Sequence, residues 1–195
     1  MFRVPFYIAV VLLTAFGLGI GGTLLSMQYT SANGAIDIGP WRAFPDAQTL
    51  EADPYTKAHR ANSGRLLYGT AEGVTFTAQT DSDGNALDGS CDYKITGNIP
   101  AARFWTLYTA DKKLPKAIAQ SQRPTALNSR ILLRDPQSGL DISLSNDAKP
   151  FNWLALQQEG PFVLVLSLLD TPIANSTGLS AIEMPQITKI GCGNA

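Results

Sequence analysis

An uncharged apolar run near the N-terminus constrains this chain more than any other feature of its sequence. No charged residue occurs from Val4 to Met27. As an α-helix this run would be roughly 35 Å long, enough to cross the hydrocarbon core of a bilayer. Lipid offers no hydrogen-bond partners to the backbone, so a single isolated segment can cross only as a helix. The sequence therefore predicts a membrane anchor over residues 1–28.

A cleaved signal peptide is the main alternative to a retained signal-anchor. Signal peptides have apolar cores of roughly 7–15 residues. The run here is longer, but the small residues from Ser31 to Ala35 would suit a cleavage region. Arg3 precedes the run and the next basic residue is Arg42, so the positive-inside rule predicts a cytoplasmic N-terminus. We expect the remainder of the chain to fold outside the cytoplasm.

Two glycines of the run, Gly17 and Gly21, form a G-x-x-x-G pattern. This pattern allows two membrane helices to approach closely. Small residues are also common in membrane spans that do not associate. A homodimer through Gly17 and Gly21 is therefore one hypothesis for this segment.

The rest of the chain reads as a tether and one β-rich domain. Residues 29–40 are polar and small, as in a short tether, and residues 41–195 are long enough for one domain with its own core. Short alternating segments between turn formers predict a mainly β fold, an antiparallel β-sandwich or jelly-roll-like domain with one or two short helices. A net charge of −1 and the lack of a Lys/Arg-rich run argue against nucleic acid as a partner.

Individual elements follow from local patterns. Asp53 and Pro54 form a helix start, with the helix continuing to Ser63. A second short helix is expected over 114–122, and 152–154 is expected to be a loop. Strands are expected over 65–68, 74–79, 91–96, 103–109, 128–134, 140–145 and 162–169. We expect 128–134 and 140–145 to pair as a hairpin, and the nearly continuous apolar strand 162–169 to be central and buried.

The chain contains only two cysteines, Cys91 and Cys192, and both follow the anchor. In an oxidising compartment the simplest interpretation is one disulfide. It would close a loop of about 100 residues and add a few kcal/mol in the chain-entropy model. A redox pair or a metal site is the alternative, but C-x-x-C is absent and His59 is the only histidine.

No combination of residues specifies a reaction. Ser-His-Asp catalysis would require His59, and no G-x-S-x-G elbow, Walker sequence or Rossmann glycine pattern is present. Asp92, Asp141 and Asp170 lie in or at the ends of predicted strands, where a solvated surface position is the simpler interpretation. We predict no catalytic residue, no cofactor and no metal site.

The segment from Asp81 to Asn85 is similar to a calcium-binding loop. The EF-hand pattern requires a Gly and a Glu where this chain has Ala86 and Asp92. A hairpin turn explains the same turn-forming residues.

Three residues are candidates for binding a ligand. Arg103 and Arg130 lie in predicted strands, and on a shared face they could hold an anion or a carboxylate. Trp153 could contact a sugar ring or a protein partner, or could instead cap one end of the sandwich. Ordinary surface charges are the alternative for both arginines.

Several motifs together resemble a known family. They are Glu72-Gly73-Val74-Thr75-Phe76, Asp83-Gly84, Cys91-Asp92-Tyr93-Lys94-Ile95 with Gly97 and Pro100, Ala102–Leu107, Ser129-Arg130, Asn152-Trp153-Leu154 and Gly160–Leu164. In this order they resemble the bacterial "domain of unknown function 1214" family, from about Trp41 to Cys192, with Ala102–Leu107 the most specific part. The resemblance implies a β-sandwich or jelly-roll-like domain, here in the short membrane-anchored form without the partner domain of unknown function 1254. It implies no catalytic residue.

Three hypotheses about function follow. The first is a non-catalytic periplasmic module, held at the bacterial inner membrane as a single-pass protein, that binds a small ligand or an envelope protein. The second is an envelope-acting, hydrolase-like enzyme that uses carboxylates and arginines in a sandwich pocket. A structural subunit that assembles through the membrane helix is a third hypothesis. A flat apolar patch near Trp153 would favour a protein partner, and a deep pocket holding Arg103, Arg130 and an Asp together would favour the enzyme or a small-ligand binder.

Overall fold

The computed structural model describes residues 3–29, 35–45, 50, 52–63, 72–111, 123–133, 139–156, 160–174 and 182–193. Helix α1 (Arg3–Tyr29) is long and apolar enough over Arg3–Ser26 to cross a membrane, and none of that window is buried against the protein. Two threonine hydroxyls are satisfied inside the helix: Thr14 donates to the carbonyl of Val10 and Thr23 to that of Gly19. Both side chains can therefore lie in an apolar environment.

Within the described ranges, ten strands form two sheets. The strands are β1 (Ile36–Ile38), β2 (Trp41–Ala43), β3 (Gly73–Ala78), β4 (Cys91–Gly97), β5 (Phe104–Asp111), β6 (Ala126–Asn128), β7 (Leu140–Ser145), β8 (Trp153–Ala155), β9 (Phe162–Leu169) and β10 (Gln186–Cys192). The larger sheet has the order β1-β2-β3-β9-β5-β6 and the smaller sheet β10-β4-β7-β8. All pairings are antiparallel except β7 with β8. The mainly β, sandwich-like fold expected from the sequence is confirmed.

The core lies between the two sheets. Along β4 buried and half-buried residues alternate, because side chains on a strand point to opposite faces in turn. Its buried members Tyr93 and Ile95 join one cluster with residues from the larger sheet. The rings of Tyr93 and Phe162 meet edge to face at 5.9 Å across the two sheets. This shared cluster holds the two layers together as one hydrophobic unit.

Strand β9 is buried on both of its faces, as its apolar run predicts. It lies between β3 and β5 in the larger sheet. Leu164, Leu166 and Leu168 belong to the central core. Val163 and Val165 form a second cluster with Ala110 on the other face. A strand covered on both faces needs no polar alternation, which explains its continuous apolar sequence.

Helix α2 (Pro54–Ser63) begins where the sequence predicts. A carboxylate oxygen of Asp53 accepts the N–H groups of Tyr55 at 2.9 Å and Thr56 at 3.2 Å, and its other oxygen accepts the Thr56 hydroxyl. These contacts satisfy donors that the first helical turn leaves unpaired. The hydrogen bonds from Thr56 lower the pKa of Asp53.

The predicted disulfide is confirmed. Cys91 and Cys192 are direct register partners at one end of the β4–β10 pair, and they are bonded. The bond closes a sequence separation of 101 residues. It attaches the last strand of the chain to the centre of the smaller sheet.

Hydrogen bonds from side chains and backbone help to close both open sides of the sandwich. On one side the indole N–H of Trp41 donates to the carbonyl of Pro185 at 2.7 Å. Ser82 and Ile187 exchange two hydrogen bonds along the outer edge of β10. On the other side the N–H of Ala155 in β8 donates to the carbonyl of Pro124, just before β6. These contacts occupy strand edges that would otherwise be open to pairing.

Some local predictions were wrong. The predicted strand 128–134 is instead the end of β6 followed by a turn at 129–131, and 152–154 is not a loop because β8 occupies 153–155. The hairpin with 140–145 does not form, since β6 belongs to the larger sheet and β7 pairs with β4 and β8. Strand β1 lies within the range expected to be tether. The expected strand at 65–68 and helix at 114–122 lie outside the described residues.

Candidate functional site

Several loops meet at one end of the sandwich. Strands β3 and β5 begin at this end and β9 and β6 finish there, because neighbouring strands are antiparallel. In the smaller sheet β4 finishes, and β7 and β8 begin, at the same end. We call the exposed side chains of these loops the end surface: Arg103, Arg130, Ile131, Leu133, Phe151 and Asp170.

Asp170 ties three strands together at the end surface. Its N–H donates to the carbonyl of Glu72 at 2.8 Å, and its own carbonyl accepts the N–H of Arg103 at 3.1 Å. The φ angle of Asp170 is 50°, a left-handed conformation that Asp tolerates better than most residues. The termini of β3, β9 and β5 are therefore held in register at this edge.

The predicted ligand residue Arg103 pairs with Asp170. One of its guanidinium nitrogens lies 3.5 Å from the carboxylate, and both side chains are mostly exposed. Exposed ion pairs contribute little to stability because water screens them. The Arg103 guanidinium is thus held only loosely at the surface.

A turn after β6 presents the second predicted ligand residue, Arg130. The side-chain oxygen of Asn128 accepts the N–H groups of Arg130 at 2.9 Å and Ile131 at 3.3 Å. The N–H of Ser129 donates to the carbonyl of Trp105 in β5. Arg130 follows immediately, at the same end of β5 as Arg103. The structure therefore places both arginines on the end surface, in a turn and before a strand rather than inside strands.

Asn152 connects the loop after β6 to the smaller sheet. Its side-chain amide donates to the carbonyls of Leu133 at 2.7 Å and Asp141 at 3.0 Å, and its oxygen accepts the N–H of Leu133 at 2.8 Å. The residue is buried. Both backbone groups of Leu133 are consequently satisfied by one side chain that belongs to the protein interior. No local pattern in the sequence indicated this role.

Phe151, the residue before Asn152, is exposed in a strained conformation. It has a φ angle of 64°, and 86% of its surface is accessible. Left-handed backbone costs a bulky L-residue roughly 1–2 kcal/mol. Leu133 and Ile131 are also exposed, at 62% and 58%. We call Ile131, Leu133 and Phe151 the apolar patch. In the sequence, only the position of Phe151 among turn-forming residues indicated this patch.

The third predicted ligand residue, Trp153, lies beside the apolar patch but on a different surface. It occupies β8 opposite Ser143, and it is half-buried on the outer face of the smaller sheet because Leu154 points inward. Its indole N–H donates to the carbonyl of Ser145 at 3.0 Å. The indole is therefore anchored, with part of the ring exposed. The structure does not place it on the end surface with the arginines.

Ion pairs occupy the rest of that outer face. Lys94 lies 3.0 Å from the carboxylate of Asp141, and Lys149 lies 2.9 Å from that of Asp92. The hydrogen bond to Asp92 raises the pKa of Lys149. Asp92, Asp141 and Asp170 thus each have a cationic partner.

The candidate carboxylates are not brought together. Asp141 faces Thr96 in β4, and Asp92 lies four residues earlier in that strand, roughly 13 Å away. Asp170 lies at the end of the other sheet. Among the described residues, no group of three His, Cys, Asp or Glu side chains could hold a metal ion. His59 belongs to α2, but its side chain lies outside the described part of the structure.

The calcium-like segment forms a self-contained turn. One carboxylate oxygen of Asp81 accepts the N–H groups of Asp83 at 3.0 Å and Asn85 at 2.8 Å. The Asn85 amide donates to both Asp81 oxygens. Asp81 is buried by the turn it organises. These contacts are those of a turn that stabilises its own backbone.

Fold and surface together define a β-sandwich protein with an apolar N-terminal helix and an exposed loop end. The family model described as "Protein of unknown function (DUF1214)" matches residues 72–173, more than half of the chain. The chain belongs to this family. The matched range runs from the start of β3 to the 3-10 helix at Pro172–Ala174 and includes the end surface, and it is shorter than the range expected from the motifs.

Two solved structures are similar to this chain, and the first of them shares its fold. The VPA0106 protein from Vibrio parahaemolyticus is similar over 72% of this chain and 36% of its own, with a TM-score of 0.56 and 20% identity. An uncharacterised protein from Burkholderia cenocepacia is similar over 61% of this chain and 29% of its own, with a TM-score of 0.40 and 17% identity. The chain thus spans about a third of the length of these proteins. No curated protein matches it.

Proposed function

We propose that this protein is a non-catalytic binding module of the bacterial envelope, which α1 holds at the periplasmic side of the inner membrane. The end surface is its binding surface. The observation that carries the proposal is Phe151, an aromatic residue that is both strained and almost fully exposed.

The exposure of Phe151 has no benefit to the folded chain itself. An exposed ring contributes nothing to the core, and a left-handed backbone costs free energy. Strained residues that the surrounding structure holds in place are concentrated at functional sites. Binding would bury the ring, and this burial would contribute hydrophobic free energy that folding alone does not provide.

The apolar patch is also preorganised. Two side-chain hydrogen bonds of Asn152 fix the backbone of Leu133 beside Phe151, and a third reaches the carbonyl of Asp141. The Asn128 side chain fixes the turn that carries Ile131. A surface already held in one conformation loses less entropy when it binds. These contacts support binding by a rigid face rather than by a flexible loop.

The placement rests on the anchor and the disulfide. Disulfides persist in oxidising compartments, and the bond between Cys91 and Cys192 suits the periplasm. The basic residue Arg3 precedes the apolar helix, which supports a cytoplasmic N-terminus. The separation of Asp92, Asp141 and Asp170 favours a binding module over the hydrolase-like alternative.

Photo-crosslinking in native membranes tests the proposal. A photoreactive phenylalanine analogue replaces Phe151 in the full-length chain, and the matched control carries it at Thr188, which is exposed on β10. We expect an adduct from position 151 and a much weaker one from position 188. Equal or absent adducts at both positions would show that the end surface is not a binding surface. Added protease should cleave the domain in spheroplasts; protection would contradict the periplasmic placement.

A further inference from the structure

We propose that the end surface lies against the membrane that holds α1, with Phe151, Leu133 and Ile131 at the lipid interface and Arg130 at headgroup phosphates. This inference rests on the proposed function, because it names the occupant of the same surface. The occupant is a phospholipid bilayer in cis to the anchor.

The short connection after the anchor limits where the domain can be. Helix α1 ends at Tyr29 and β1 begins at Ile36. A fully extended chain between them spans at most about 25 Å. Strand β5, with 8 residues, is itself roughly 26 Å long. The sandwich must therefore lie within about its own length of the headgroups.

Strand direction decides which end faces the membrane. Ile36 pairs with Ala43, and Ala43 pairs with Phe76, so β1 is parallel to β3. Strand β3 starts beside Glu72 and Asp170, at the end surface. The chain therefore enters β1 from the side of the end surface. With so short a connection, that end is the one directed toward the bilayer.

The chemistry of the end surface suits a lipid interface. Aromatic rings and aliphatic side chains partition into the headgroup region, and arginine binds phosphate there. Arg130 makes no ion pair with any other described residue. Both backbone groups of Leu133 are bonded to Asn152, so immersion leaves neither of them without a partner.

The opposite end of the sandwich carries charges of both signs. Asp88 before β4, Asp111 at the end of β5 and Asp147 after β7 lie there. Arg123, which donates to the carbonyl of Asn146, and Lys149, which pairs with Asp92, lie at the same end. The proposed orientation therefore rests on the direction in which the chain enters β1 and on the apolar patch, and not on a difference in net charge between the two ends.

Spin-label accessibility in vesicles tests the inference. The full-length chain is reconstituted without other proteins into vesicles of phosphatidylethanolamine and phosphatidylglycerol, labelled through an added cysteine at Phe151 or, as the control, at Asp147. We expect the ratio of oxygen collisions to aqueous nickel collisions to be at least about threefold higher at position 151. The double variant Leu133→Ser and Ile131→Ser should lower the ratio at position 151, and Arg130→Ala should do so in these vesicles more than in phosphatidylcholine.

The outcomes separate the two proposals. Equal aqueous exposure at positions 151 and 147 would overturn the lipid inference. If position 151 still forms an adduct in native membranes, the binding surface stands and its occupant is a protein. If it forms none there either, both proposals fail.

Discussion

Two neighbouring residues at the loop end illustrate how differently single positions can be used. Phe151 carries a large apolar ring into solvent on a left-handed backbone, whereas Asn152 buries a polar amide with every contact inside the protein. Asn152 makes the exposed conformation of Phe151 possible, because the hydrogen bonds of Asn152 define the path of the chain. Stability should therefore depend on Asn152, and binding on Phe151.

Replacing Phe151 by glycine should not destabilise the protein. The change removes a left-handed strain of roughly 1–2 kcal/mol and adds a glycine entropy cost of about 0.5–1 kcal/mol. We expect thermal unfolding in detergent to show no loss, or a gain of up to about 1 kcal/mol. In the control Phe162→Ala, loss of a buried ring should cost about 3–5 kcal/mol. A comparable loss in Phe151→Gly would mean that the ring is packed.

Replacing Asn152 by alanine should destabilise the protein by about 2–3 kcal/mol, because buried groups at Leu133 and Asp141 lose their partners. For a domain of this size the melting temperature should fall by roughly 5–10 °C. Gln186→Ala, at an exposed position of β10, is the control and should change little. An unchanged melting temperature in Asn152→Ala would contradict the structural role of the amide.

At the scale of elements, β10 depends on contacts beyond its own sequence. Most of its residues are exposed, and Ile187 alone is buried in the core. It pairs with β4 on one side and receives Ser82 on the other. The disulfide to Cys91 fixes its far end. A strand with so little apolar burial gave no clear pattern in the sequence.

Removing both cysteines should loosen β10 first. The variant Cys91→Ser with Cys192→Ser loses the restraint on a long loop, which stabilises proteins by about 2–4 kcal/mol. We expect a lower melting temperature and faster hydrogen exchange in β10 and β4. Reductant should lower the melting temperature of the natural protein and leave the variant unchanged. If reductant lowered the melting temperature of the natural protein and of the variant equally, the disulfide would not be the cause of the difference.

Acid should weaken the turn that precedes β4. The hydroxyl and N–H of Ser90 donate to the carboxylate of Asp88, and these bonds lower its pKa. A carboxyl whose pKa is lower when folded stabilises the protein above its unfolded pKa, and this contribution disappears as pH falls through the folded value. Asp88→Asn should therefore be less stable than the natural protein near pH 6, with the difference closing below about pH 4. Asp83→Asn is the control. A difference in stability between Asp88→Asn and the natural protein that persists in acid would exclude the charged Asp88 carboxylate as its cause.

At the scale of the whole molecule, the proposed function gives the helix and the sandwich different roles. Under that proposal the helix supplies placement at the membrane and the sandwich supplies a rigid surface a short distance away. Both predicted dimer glycines, Gly17 and Gly21, have open space where a side chain would begin, so nothing in the described protein covers that helix face. Association through the helix would set two sandwiches side by side at the membrane.

Replacing Gly17 by leucine tests the homodimer. A bulky side chain at this position would keep two helices from close approach. We expect chemical crosslinking in membranes to give a dimer with the natural chain and several-fold less with Gly17→Leu. Gly19→Leu, which adds the same side chain on the opposite face of the helix, is the control. A dimer that survives Gly17→Leu would require another contact.

The sequence by itself determined the elements whose signal is local. The apolar run specifies α1, Asp53 and Pro54 specify the start of α2, and the double burial of β9 follows from its continuous apolar residues. The disulfide followed from counting two cysteines in a chain that its apolar N-terminal run predicts to be exported. Each of these depends on composition or on a period within one segment.

Only the tertiary structure decided which strands are neighbours. A period of two tells which residues of a strand share a face, but it does not identify the partner strand. The sequence therefore suggested a hairpin between the strands now seen as β6 and β7, although they lie in different sheets, and it missed the parallel pairing of β7 with β8. The end surface exists because those pairings bring Leu133 to Asn152, and hydrogen bonds between separate segments leave no periodic trace in either one.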